Sequence, residues 1–120
     1  VETHMQLAAE ADSSTLLSSN GIIFGTPENF GYMSGALKDF FDRTFYQVEH
    51  KNINIPYCTF VSAGNDGTGA VSSIERIACG YPLVKVAEPL IISGKQVNSN
   101  KKRCIDFGHS MAAGLALGIY

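Results

Sequence analysis

The spacing of apolar residues along the chain alternates between patterns typical of strands and of helices. Residues 1–7 alternate polar and apolar side chains with a period of two, which predicts an edge strand. Residues 21–25 form a short apolar run between glycines, which predicts a strand buried on both faces. Further strands are predicted over residues 56–62 and over residues 84–92, where Pro89 interrupts the second of them.

Helical spacing separates these strands. Residues 11–20 predict a short helix or turn, and Ser34 stands where the N-cap of the next helix is expected. The three longer helical patterns comprise Leu37, Phe40, Phe41 and Phe45; Ala70, Ile74, Ile77 and Ala78; and Cys104, Phe107, Met111, Leu115 and Ile119. Strands and helices that alternate in this way predict an α/β fold with a mostly parallel sheet and helices on both of its faces.

Composition narrows the class of protein. The 120 residues are 45% hydrophobic and 17% charged, which excludes a disordered chain and leaves room for one domain over residues 1–120. The net charge of −2 argues against a nucleic-acid partner, and the apolar runs are too short for a membrane span. The chain begins at Val1 without the charged and apolar segments of a signal peptide, and its three cysteines form no Cys-x-x-Cys pair. We therefore expect reduced thiols and a cytoplasmic protein.

Two loops are rich in glycine, hydroxyl and amide side chains, and each follows a predicted strand. The first covers residues 25–35 and the second covers residues 62–69. Ligands of open α/β sheets bind beyond the carboxyl ends of the strands, so both loops would lie at the ligand-binding edge. Glycine lets the backbone approach a flat ring closely, and Phe30 and Tyr32 add aromatic surface. Glycine-rich loops also serve simply as turns, but two of them at one edge favour a planar ligand.

The remaining reactive side chains form no persuasive catalytic or metal-binding group. Cys58 and Cys104 are interpreted as buried small hydrophobic residues, which argues against a nucleophilic role. His4, His50 and His109 lack the spacing of metal ligands. We therefore expect neither a catalytic side chain nor a metal site.

Three motifs can be read from the loops and the last predicted helix. The first is Gly25-Thr26-Pro27-x-x-Phe30-Gly31-x-Met33-Ser34-Gly35-x-Leu37-Lys38-x-Phe40-x-Asp42-Arg43. The second is Ser62-Ala63-Gly64-Asn65 with Gly67 and Gly69, and the third is Gly108-x-x-Met111-Ala112-x-Gly114-Leu115. Together they resemble the flavodoxin-like NAD(P)H:quinone oxidoreductase and NADPH-dependent FMN reductase family, over most of the chain.

This resemblance implies a flavodoxin-like three-layer sandwich with strand order 2-1-3-4-5 and noncovalently bound FMN. It also implies that NAD(P)H is the electron donor, that a quinone or similar small molecule is the acceptor, and that the protein is a homo-dimer or homo-tetramer. The flavin would carry the redox chemistry, while the protein positions it. The residues that the resemblance assigns to cofactor binding are Thr26, Pro27, Glu28, Asn29, Phe30, Gly31, Tyr32, Ala63, Gly64, Asn65 and Gly69.

The sequence departs from the family pattern at two places. The family's first strand and its phosphate-binding loop would precede residues 1–7, so we expect an N-terminally incomplete domain that lacks about thirty residues, one βα unit. The second departure is Glu28, which is more acidic than the residue in many relatives. Its carboxylate would either lie beside the flavin and disfavour the anionic reduced form, or point to solvent.

Two other functions remain open at this stage. The first is an electron carrier of the flavodoxin type, although such carriers use strongly acidic faces and the net charge here is only −2. The second is a flavodoxin-like interaction module without a cofactor, which the missing phosphate loop favours.

Overall fold

The computed structural model describes residues 1–93, 95 and 98–120, in which strands alternate with helices. Across the part of the chain that the structure describes, every helix is too short or too polar to cross a membrane. The elements in chain order are α1 (Ser13–Leu17), β1 (Ile22–Pro27), α2 (Gly35–Val48), β2 (Pro56–Ala63), α3 (Thr68–Gly80), β3 (Val84–Lys85), β4 (Leu90–Ser93) and, after a 3₁₀ turn at Asn98–Asn100, α4 (Lys101–Ala116).

The strands of the described sheet pair in parallel. β1 and β2 run side by side from Ile22 opposite Tyr57 to Pro27 opposite Ser62. The start of β2 pairs with β3 and its end pairs with β4, so β3 and β4 share one edge of the sheet in two pieces. Pro89 lies between the two pieces and cannot donate a hydrogen bond to a neighbouring strand, as the sequence predicts. The α/β class with a parallel sheet flanked by helices is confirmed.

One face of the sheet carries the main hydrophobic core, which α2 and α3 cover. The ring of Phe24 in β1 lies 5.2 Å from that of Phe41 in α2 and 5.7 Å from that of Tyr57 in β2, between ring centroids. Helix α2 begins at the predicted cap, because the side chain of Ser34 accepts a hydrogen bond from the N–H of Leu37. The buried residues of α2 are Leu37, Phe40, Phe41, Thr44 and Val48.

The opposite face of the sheet is only partly covered. The buried residues of α4 are Met111 and Gly114, while Ile23 in β1 is 39% exposed and Phe60 in β2 is 43% exposed. The prediction that β1 is buried on both faces is therefore wrong. Burial of a second face depends on a covering helix that the strand's own sequence does not specify. Cys104, predicted to lie on the inner face of the last helix, is exposed.

Residues 1–7 do not form the predicted edge strand. They are exposed, and in the described part of the chain they pair with no other strand. Alternating side chains make a strand only where a neighbour supplies the backbone hydrogen bonds, which is why the pattern misleads here. The chain just after this segment is attached to α2, because Arg43 donates hydrogen bonds to the carbonyls of Ala8 at 2.8 Å and Ala11 at 3.0 Å.

Candidate functional site

The two glycine-rich loops lie side by side at the carboxyl edge of the sheet. The first follows β1 and the second follows β2, and these strands are parallel neighbours. The pairing continues one residue beyond β1, because the N–H of Glu28 donates to the carbonyl of Ser62 at 2.9 Å. The sequence prediction that both loops meet at one edge is therefore confirmed.

The first loop contains a tight turn over residues 29–32. Asn29 and Tyr32 exchange two backbone hydrogen bonds of 2.9 and 3.0 Å. Between them, Phe30 and Gly31 both have positive φ angles, 52° and 70°. Two central residues with positive φ are typical of a type I′ turn, in which Asn-Gly is the favoured pair and phenylalanine is strained. The side chain of Phe30 is fully exposed, so the turn presents a strained and unburied aromatic ring.

Backbone and hydroxyl contacts hold the two ends of this loop. Thr26 is 3% exposed, and its hydroxyl donates to the carbonyl of Pro27 at 2.8 Å and accepts from the N–H of Ser34 at 2.9 Å. Further on, the N–H of Met33 donates to the hydroxyl of Ser73 in α3 at 3.2 Å. Thr26 therefore shapes the loop from the inside, and its hydroxyl is already engaged with the backbone.

The second loop turns from β2 into α3 through Gly67, whose φ of 74° lies in the left-handed region. Asp66 accepts hydrogen bonds from the N–H and the hydroxyl of Thr68 at 3.0 and 2.8 Å. Both hydrogen bonds lower the pKa of the Asp66 carboxyl, and the bond from the backbone N–H has the larger effect. A Cβ atom on Gly64 would meet no atom within 4 Å, so the backbone of the second loop is open to an approaching ligand there.

The loops touch each other through Glu28 and two glycines. The Glu28 carboxylate accepts hydrogen bonds from the N–H groups of Gly69 at 3.1 Å and Ala70 at 3.2 Å, in the first turn of α3. A Cβ atom on Gly69 would overlap the carbonyl group of Gly31. The alternative in which the Glu28 carboxylate points to solvent is wrong, because the carboxylate is bound to the start of α3, whereas its place beside a flavin stays a prediction. Sequence reasoning could not find this bond, since its partners lie 41 and 42 residues away.

The residues assigned by resemblance thus fall into three groups, and whether they bind a cofactor stays a prediction. Those with exposed surface at the edge are Pro27, Asn29, Phe30, Gly31, Tyr32, Gly64 and Asn65. Glu28 and Gly69 are half-buried where the loops meet, while Thr26 and Ala63 are buried. Sequence reasoning missed Asp66 and Ser73, although an aspartate two residues before a threonine is a recognisable signal of an Asx turn.

This arrangement fits one part of FMN and leaves another unexplained. An exposed aromatic ring beside open glycine backbone is suited to a flat ring system. A phosphate at the start of α3 does not fit, because Asp66 and Glu28 already accept the hydrogen bonds of Thr68, Gly69 and Ala70. The described loops therefore suit the isoalloxazine ring and not the phosphate.

Comparisons with known proteins agree with the motifs. The family model for NADPH-dependent FMN reductase matches residues 3–98. A NAD(P)H dehydrogenase (quinone) of Acidithiobacillus ferrooxidans is 51% identical over 43 residues, which are 36% of this chain and 21% of that protein. The matched segment thus spans about a fifth of that relative's length.

Proposed function

Because the chain belongs to the NADPH-dependent FMN reductase family, we propose that it binds FMN between the two loops. We further propose that it passes electrons from NAD(P)H to a quinone or similar small acceptor. The observation that supports this most directly is the contact between the loops, which brings the exposed ring of Phe30 and the open backbone at Gly64 to one edge.

In this proposal the chain's residues position the flavin. FMN, when bound, supplies the two-electron redox chemistry. The rings of Phe30 and Tyr32 pack against the flat cofactor, while backbone groups of the turn and of residues 64–65 face its polar edge. Because the protein only positions the flavin in this proposal, no acid, base or nucleophile is needed among the described side chains.

The proposed strand order is 2-1-3-4-5, as in flavodoxin-like proteins. β1, β2 and the β3–β4 edge would supply the third, fourth and fifth positions, which agrees with the parallel pairing of β1 with β2 and of β2 with both edge pieces. In this order the phosphate of FMN binds after the strand next to β1 on its other side. A phosphate site there agrees with the start of α3, where the Glu28 carboxylate already accepts the hydrogen bonds of the Gly69 and Ala70 amides.

The test is FMN titration of the purified protein, followed by quenching of flavin fluorescence, with Gly64→Val as the variant. A Cβ atom at this position meets no atom within 4 Å, so we expect the fold to be kept and FMN affinity to fall about tenfold or more. Gly80→Val is the matched control, because Gly80 is equally open but ends α3 on the side away from the loops. Equal FMN affinity in both variants would refute the cleft assignment.

Stopped-flow measurements with free NAD(P)H then distinguish the remaining functions. Rapid flavin reduction, with turnover when a quinone is added, supports the reductase. Bound FMN that free NAD(P)H reduces only slowly would indicate an electron carrier instead. A protein that binds no FMN would indicate an interaction module without a cofactor.

A further inference from the structure

Glu28 is bonded to two elements at the junction of the loops. Its carboxylate accepts the N–H groups of Gly69 and Ala70, where the positive end of the α3 dipole favours a negative charge. Its backbone N–H donates to the carbonyl of Ser62 at the end of β2. The residue is half-buried, so these bonds are partly shielded from water.

These bonds hold the chain just before the turn that presents Phe30. On the other side of the turn, Met33 is bonded to the hydroxyl of Ser73, which also belongs to α3. The turn over residues 29–32 is therefore attached to α3 at both of its ends. The backbone hydrogen bonds between Asn29 and Tyr32 close the turn itself. Because the side chain of Phe30 is unburied, the attachments to α3 hold the turn against the rest of the protein.

We propose that Glu28 is a positioning residue for the flavin, which holds the Phe30 turn over the cleft through its bonds to α3. The inference rests on the proposed function. The carboxylate acts in this role as a hydrogen-bond acceptor for the amides of α3. It also occupies amides that would otherwise bind an anion, so this end of the cleft takes an uncharged ring edge and rejects phosphate.

Two variants separate the acceptor from the charge. Glu28→Gln keeps an oxygen that can accept both N–H groups, so we expect its FMN affinity to stay within about threefold of the wild type. Glu28→Ala removes the acceptor, and we expect affinity to fall about tenfold or more. Glu10→Ala, which removes an exposed glutamate in the turn before α1, is the matched control and should not change affinity. A glutamine variant as weak as the alanine variant would overturn the acceptor role.

Hydrogen exchange gives a measurement that needs no flavin. The amide protons of Gly69 and Ala70 should exchange slowly in the wild type and in Glu28→Gln, and at least about tenfold faster in Glu28→Ala. Equal exchange in all three proteins would overturn the inference, whether or not FMN binds. Faster exchange in Glu28→Ala with unchanged FMN affinity would show that the bond exists but does not position the flavin, which also overturns it.

The two proposals fail in different ways. If the wild-type protein binds no FMN while the amides respond to Glu28→Ala as expected, the proposed function fails and the hydrogen bonds of Glu28 stand as a purely structural feature. If FMN binds normally and the amides do not respond, the inference about Glu28 fails alone.

Discussion

Gly69 and Gly31 lie backbone against backbone, so close that a Cβ atom on Gly69 would overlap the carbonyl group of Gly31. The two residues belong to different loops, 38 positions apart in the sequence. Their approach is possible because Gly69 carries no side chain, and it brings the start of α3 against the turn that presents Phe30.

The first prediction concerns this contact. Gly69→Ala must push the two loops apart, because the obstructing atoms are backbone and cannot rotate away. We expect the free energy of unfolding to fall by about 1–3 kcal/mol, as for other overpacked sites, and FMN affinity to fall with it. Urea denaturation and flavin titration measure the two effects.

The control for this substitution is Gly35→Ala, at the first residue of α2, where an added Cβ meets nothing within 4 Å. Alanine is the better helix former, so we expect that variant to be as stable as the wild type or up to about 1 kcal/mol more stable. Equal stability of Gly69→Ala and Gly35→Ala would contradict the close contact.

Local patterns in the sequence predict local structure well in this chain. Ser34 caps α2 as expected, because a serine before a helical repeat of apolar residues is well placed to accept a hydrogen bond from the amides that follow it. Pro89 divides the last strand region as expected, because a missing N–H has the same effect in any sheet. The edge at which the two loops meet also follows from the order of strands and helices.

The features that the sequence does not predict depend on distant partners. The acceptor role of Glu28 depends on amides in α3, and the exposure of Ile23 depends on how far α4 extends over the sheet. Residues 1–7 have the alternation of a strand but no neighbour to pair with among the described residues. The left-handed conformation of Phe30 runs against the preference of its residue type, and only the two-residue turn imposes it.

The second prediction uses that strained residue to separate stability from binding. Phe30→Asn places the favoured residue in the type I′ turn and removes an exposed ring, so we expect the free energy of unfolding to rise by about 0.5–1 kcal/mol. The same change removes the proposed packing surface for the flavin, and we expect FMN affinity to fall about fivefold to tenfold. Thermal denaturation and flavin titration measure the two effects.

Phe30→Tyr keeps the aromatic ring and serves as the control, with affinity near that of the wild type. Wild-type affinity in Phe30→Asn would show that the ring does not contact the cofactor.

The third prediction concerns two buried threonines with different hydrogen bonding. Among the described side chains, the hydroxyl of Thr59 in β2 is buried without a hydrogen-bond partner. Thr59→Val replaces that hydroxyl by a methyl group of similar size, so we expect stability to be unchanged or to rise by up to about 1 kcal/mol. Urea denaturation measures the difference.

Thr44 is the matched comparison, because its hydroxyl donates to the carbonyl of Phe40 at 2.8 Å and lies 2.8 Å from the hydroxyl of Tyr81. Thr44→Val should lower the free energy of unfolding by about 1–2 kcal/mol, since it leaves buried polar partners without their bond. A Thr59→Val variant that loses as much as Thr44→Val would show that the Thr59 hydroxyl is bonded after all.

The last prediction concerns stability at alkaline pH. Burial raises the pKa of the Cys58 thiol from 9.0 to about 11. Burial is also the largest cause that raises the pKa of the neighbouring Tyr57 hydroxyl, from 10.0 to about 12. In the unfolded chain both groups ionise at their ordinary pKa values. As the pH rises, they therefore ionise in the unfolded state before they ionise in the folded state, and this stabilises the unfolded state. The contribution of these two groups to the free energy of unfolding is therefore fully present below about pH 9. It falls as the pH rises from the unfolded to the folded pKa of each group, from 9.0 to about 11 for Cys58 and from 10.0 to about 12 for Tyr57.

Urea denaturation between about pH 8 and pH 10.5 measures this loss, which can reach about 1.4 kcal/mol per pH unit for one group that ionises only when unfolded. Cys58→Ala removes the earlier of the two ionisations, so its stability should decline less steeply between about pH 9 and pH 10. Cys104→Ala is the control, because it removes an exposed thiol and leaves Cys58 in place. If Cys58→Ala and Cys104→Ala show the same pH dependence, the buried thiol of Cys58 is not the source of the alkaline loss.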